Sequence, residues 1–174
     1  MKNIIFTIAI ISGLTVSYTL GSVNAIAQTP TKVRFYCGQT FDPSSDRIVP
    51  TTLVATSSRQ EPIGLIQWKS KLSGRYTPQS RCNTVSSKFQ QAWEAKQLNY
   101  LAAGVAKKSG LGIICGMKDR STPCNESSML FTLVNGADAS EIIEGIGNIR
   151  SGTGSNPISQ STGDGIVDVQ GIFN

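Results

Sequence analysis

The hydrophobic positions change period several times along the chain, and each change marks an element. From Lys32 to Gly38, Val33, Phe35 and Cys37 alternate with Lys32, Arg34 and Tyr36, the two-residue period of a half-buried strand. Phe41 to Arg47, with Asp42-Pro43 and two serines, reads as a loop. Thr51 to Thr56 is β-branched and Ile63 to Trp68 follows Pro62, giving a second and a third strand. At Thr77-Pro78 the period becomes helical: threonine caps, proline suits the first helical position, and Cys82, Val85, Phe89, Ala92 and Trp93 form one stripe. The helix is expected over Pro78 to Lys96, with its stripe on the core rather than on a ligand. Leu98 to Val105 and Leu111 to Met117 read as strands joined by a turn through Lys107, Lys108, Ser109 and Gly110. Met129 to Val134 is a sixth strand, ended by Asn135-Gly136. Asp138 and Glu141 form a capping-box pattern for a second helix whose buried face is Ile142, Ile143, Ile146 and Ile149. The order βββαβββα predicts an α+β fold: one antiparallel sheet of about six strands with two helices on one face.

Both ends read differently. Residues 1–27 start with Lys2, continue through an apolar run from Ile4 to Ile11, and close on Ala25-Ile26-Ala27, the small-x-small pattern of a cleaved export signal. Ser12, Thr15, Ser17, Thr19, Ser22 and Asn24 dilute its later half below what a bilayer span requires. Residues 28–150 then form the α+β domain. The stretch from Ser151 to Asn174 is rich in Gly, Ser and Thr and is expected to be disordered.

Cysteine usage and the lack of histidine narrow the chemistry. The chain has 174 residues, 4 Cys and 0 His, which removes imidazole-dependent nucleophile pairs, general bases and metal sites. All the cysteines, Cys37, Cys82, Cys115 and Cys124, follow the export signal. An even number in an exported chain predicts two disulfides. No C-x-x-C pair is present to suggest a metal, a cluster or a dithiol oxidoreductase, so no cofactor is expected. Loop entropy assigns about 2.7 kcal/mol to a bridge between Cys115 and Cys124 and about 4 kcal/mol to one between Cys37 and Cys82, but scores a crossed pairing slightly higher. Entropy therefore does not choose among the three connectivities; Cys115 and Cys124 flank a single loop, and that geometry favours the local pairing.

Charge supplies the candidate binding residues. Removing residues 1–27 loses only Lys2 and leaves 15 Lys+Arg against 11 Asp+Glu. Residues 63–120 hold ten Lys+Arg against Glu94 and Asp119, whereas residues 121–174 hold Arg150 against six acids. The candidates for contact with an anionic surface are Lys69, Lys71, Arg75, Arg81, Lys88, Lys107 and Lys108. Their expected partner is an anionic membrane surface, an envelope polymer or an acidic protein. Nucleic acid is not expected, because no recognition motif accompanies the charge. Glu94, Asp119 and Glu126 share no arrangement that points to carboxylate catalysis.

Several strings together carry a family resemblance. RFYCGQ at Arg34 to Gln39, P-x-x-x-x-x-W ending at Trp68, YTPQSRC from Tyr76 to Cys82, LNYL from Leu98 to Leu101, IICG from Ile113 to Gly116 and LFTL from Leu130 to Leu133 resemble the circadian oscillating protein family of cyanobacteria. The resemblance spans about Lys32 to Arg150 and leaves the Gly/Ser tail outside. It implies an exported cyanobacterial protein, membrane association and an abundance that cycles daily, and it transfers no catalytic residue. The combined expectation is a noncatalytic, disulfide-stapled module in the periplasm or outside the cell. The alternative is a small extracytoplasmic enzyme using carboxylates or a redox-labile disulfide.

Overall fold

The computed structural model describes residues 32–70, 72, 74–134, 137–148 and 166–173. The expected export signal, Lys71, Asn135-Gly136, Ile149 and residues 151–165 lie outside them. The elements run β1 (Val33–Asp42), β2 (Arg47–Thr56), β3 (Ile63–Gln67), α1 (Pro78–Glu94), β4 (Tyr100–Val105), β5 (Gly112–Met117), β6 (Met129–Thr132), α2 (Ala139–Asn148), β7 (Ile166–Asp168) and α3 (Gln170–Phe173).

The α+β class stands, but the single six-stranded sheet does not. The strands form two antiparallel sheets, β1-β2-β3 and β6-β5-β4-β7. Two meanders separated by α1 have no hairpin to join them, and the edge of β4 that a single sheet would use is taken by β7. Strands β3 and β6 are thereby left as edges.

The β1–β2 hairpin is longer than expected, because Phe41, Asp42 and Arg47, read as loop, belong to the strands. Asp42 explains the difference. Its carboxylate accepts from the backbone N–H of Ser44 (3.3 Å), the hydroxyls of Ser44 (2.9 Å) and Ser45 (2.5 Å), and Lys69 Nζ (2.9 Å), so the turn is built by its own side chains. The Ser45 hydroxyl first, and the Lys69 ammonium next, hold this carboxyl well below the usual carboxylate range. A depressed folded-state pKa gives stability that is present above the unfolded value of about 3.9 and lost as pH falls. Acidification from about pH 5 to about pH 3 is therefore expected to lower the urea midpoint, and Asp42→Asn to make that fall shallower.

Thr77 caps α1 as expected, its hydroxyl accepting from Ser80 N–H at 3.1 Å with Pro78 at the first position. The helix ends two residues early, at Glu94. Lys96 adopts φ 58°, and the Gln97 N–H bonds back to Ala92 O at 2.8 Å, a left-handed C-terminal cap. Cys82, Val85 and Phe89 are buried beneath α1, and Trp93 is half-buried. Phe35 of β1 meets Phe89 at 5.4 Å and Trp93 at 6.2 Å between ring centroids, so the aromatic part of the stripe is core. In α2, Ile143 and Ile146 are buried and Ile142 is half-buried, and Asp138 Oδ1 accepts from Ser140 N–H at 2.8 Å.

The tail departs most from expectation. Instead of ending near residue 150, the domain takes back Ile166–Phe173: Leu101 pairs with Val167, and Val169, Ile172 and Phe173 are buried. A Gly/Ser-rich stretch carries no hydrophobic period, and a strand of three residues is too short for an alternation to register. The second, smaller core lies on the opposite side of β4 and β5, around Ala102, Ile113, Cys115 and Met117. A Cβ on Gly104 would meet Cys124 Sγ at 2.5 Å, so glycine lets the loop carrying Cys124 lie directly on β4.

Candidate binding groove

The centre of the candidate site is Trp68, at the end of edge strand β3. Its backbone N–H bonds to Pro50 O at 2.8 Å, and its indole Nε1 donates to Thr52 Oγ1 at 3.0 Å. Ser86 of α1 donates its hydroxyl to the same Thr52 oxygen at 3.0 Å. Thr52, Trp68 and Ser86 are all buried, so this network fixes the indole against β2 and α1 while leaving no buried hydroxyl unpaired. Sequence reading missed it; the available signal was Ser86, a hydroxyl on the apolar stripe of α1.

Around the indole the polar and apolar surfaces separate. Phe131 of β6 sits edge-on to Trp68 at 5.6 Å, and the Arg81 guanidinium lies 4.6 Å from the indole centroid while donating to Ser70 O at 3.3 Å. Partial burial pulls the Arg81 pKa down, and the guanidinium remains a cation. Beside this stack a groove of about 740 Å³ runs between α1 and the open edge of β6, with Arg75, Arg81 and Lys88 along it and Trp68, Val85 and Phe131 among its apolar walls. No carboxylate is present among the described residues that line it. A second cavity of about 400 Å³ shares Trp68, Arg81, Phe131 and Leu133 with the groove and reaches Ile142 and Ile146 of α2.

The structure divides the seven candidate cations. Arg75, Arg81 and Lys88 share the groove, and Lys88 Nζ also donates to Met129 O at 3.5 Å. Lys69 lines the smaller cavity, but its charge is paired with Asp42. Lys107 and Lys108 lie in the β4–β5 turn beside Glu126, whose Oε1 accepts the Lys107 N–H at 2.9 Å. The Glu126 carboxyl is lowered by its own backbone N–H first and then by those of Lys107 and Lys108. Lys71 is outside the described residues. The carboxylates weighed for catalysis are each engaged locally: Glu94 accepts from Gln90 at 2.7 Å, and Asp119 accepts from the hydroxyls of Ser121 and Thr122, which lower its pKa.

All the cysteines are paired, Cys37 with Cys82 and Cys115 with Cys124, each pair with Cα atoms 5.4 Å apart. The local pairing favoured by the single intervening loop is the one present. Cys82 follows Arg81, so its bridge to β1 anchors the turn of α1 that carries the central cation of the groove.

The sequence profile described as Circadian oscillating protein COP23 matches residues 34–174. The chain belongs to this family. The match continues through β7 and α3, so the family domain includes the C-terminal segment that the resemblance had left outside. No curated protein and no solved structure matches the chain. Among the described residues no helix is long and apolar enough to cross a membrane. The disulfides fit an oxidising environment.

Proposed function

We propose that this COP23 family member is an exported, noncatalytic module that attaches to an anionic surface, such as acidic membrane lipid, through the groove beside α1 that is lined by Arg75, Arg81 and Lys88. The observation that carries this reading is the convergence of those cations on one groove whose described lining holds no acid. Clustered like charge with no carboxylate partner raises the local potential and attracts anions from solution. Two disulfides and the export-signal pattern of residues 1–27 support an extracytoplasmic location.

The reading predicts association with vesicles containing acidic lipid and little association with neutral ones. Association weakens with salt, because the Debye length falls from about 30 Å at 0.01 M to about 8 Å at 0.15 M ionic strength. In a sedimentation assay, the combined variant Arg75→Gln, Arg81→Gln, Lys88→Gln is expected to stay in the supernatant. Replacing Lys107 and Lys108, which lie beside Glu126, is expected to have a smaller effect. Equal sedimentation of the triple variant and the parent would remove the electrostatic basis of the proposal.

A further inference from the structure

Among the described lining residues, the cations that lack a carboxylate partner lie at one end only, and this placement says more about the occupant than the number of charges. Arg75 and Lys88 line the larger cavity and not the smaller one; Arg81 stands at the junction. The smaller cavity adjoins the larger at Arg81, Phe131 and Leu133 and reaches Ile142 and Ile146 of α2, and the lysine on its wall, Lys69, is paired with Asp42. A ligand complementary to this path has an anionic head and an apolar body. We propose that the groove binds one anionic amphiphile, a long-chain carboxylate. Its headgroup meets Arg75, Arg81 and Lys88, and its hydrocarbon chain runs past Phe131 and Leu133 toward Ile142 and Ile146 of α2. The proposal rests on the reading of these cations as an anion site and assigns the ligand class.

The other occupants fit less well. An envelope polysaccharide needs an open aromatic face to stack on, but the face of Trp68 is covered by Arg81. An acidic peptide would carry further carboxylates toward α2, where the lysine on the wall, Lys69, is already paired with Asp42. The volume of about 740 Å³ falls among small-molecule sites. The Trp68–Thr52–Ser86 bonds also form the floor in advance, so little ordering opposes binding.

The test is titration of the full chain with dodecanoate below its micelle concentration, followed by calorimetry and by the Trp68 indole N–H resonance. Saturable binding of one dodecanoate per chain is expected, with the Trp68 resonance shifting. Shortening the chain to decanoate and octanoate weakens binding by up to about fourfold per methylene. Monododecanoylglycerol, which keeps the chain without the charge, binds about tenfold more weakly, and acetate does not compete. Arg81→Met retains the stem on Trp68 and is expected to lose about tenfold in affinity. Arg75→Gln, at an exposed position, is the second variant should Arg81→Met not fold, and is expected to lose several-fold.

An affinity independent of chain length or of headgroup charge, or unchanged in folded Arg81→Met or in Arg75→Gln, overturns the proposal. So does an acidic peptide that displaces dodecanoate while binding more tightly. Dodecanoate binding without salt-sensitive vesicle association upholds the groove ligand and removes surface docking. Vesicle association without dodecanoate binding does the reverse.

Discussion

Phe173→Ala is expected to cost about 3–5 kcal/mol of stability, although it lies at the end of a stretch whose composition reads as disordered. Phe173 is 1% exposed, edge-on to Phe35 at 5.2 Å and to Trp93 at 5.8 Å. Those rings come from β1 and α1, and Phe35 is also in contact with Phe89. Removing the Phe173 ring would leave a space bounded by aromatic groups on two elements already held by the Cys37–Cys82 bridge, so collapse into it is limited and the cavity cost is added to the lost transfer energy. Phe41→Ala is the control, because Phe41 is 56% exposed and its loss should change stability by less than about 0.5 kcal/mol. Urea denaturation of both variants decides the matter. Equal midpoints would mean that α3 does not contribute to the core.

The local elements were legible because each is encoded within a few residues: the alternation of Val33, Phe35 and Cys37, the Thr77-Pro78 start of α1, and Asp138 before α2. What brings Leu101 and Val167 together is not local. It depends on β4 having an open edge, and on Val169, Ile172 and Phe173 finding space beside β1 and α1. The same limit applies to the groove. A count of positive charge selected Arg75, Arg81 and Lys88, but it selected Lys69 and Lys107 as readily, because it carries no information about where Asp42 and Glu126 lie. The buried Thr52 shows the other side of the problem: in sequence it is one of several β-branched residues in a strand, and only the approach of Ser86 and Trp68 makes it a shared acceptor.

Breaking the Cys37–Cys82 bridge is expected to be the larger of the two disulfide losses. Cys37→Ala with Cys82→Ala should cost about 4 kcal/mol, against about 2.7 kcal/mol for Cys115→Ala with Cys124→Ala, because the first bridge closes a 45-residue separation and the second a 9-residue one. Either loss is a large share of the roughly 5–15 kcal/mol that holds a domain together. Alanine is the right replacement, since Cys82 is fully buried and serine would add an unpaired hydroxyl to the comparison. Urea denaturation of both double variants measures the difference, and the same titration of the parent chain in reductant should approach the sum. The position of Cys82 gives this bridge a further consequence. With β1 no longer tied to the first part of α1, Arg81 loses a restraint on its place over Trp68, so the Cys37/Cys82 variant should bind anions more weakly even under conditions where it remains folded. The Cys115–Cys124 bridge restrains a loop at the opposite face of β5, so the Cys115/Cys124 variant should bind as the parent does. A variant lacking Cys37–Cys82 that matched the parent in both stability and anion affinity would separate the bridge from the groove and from the fold alike.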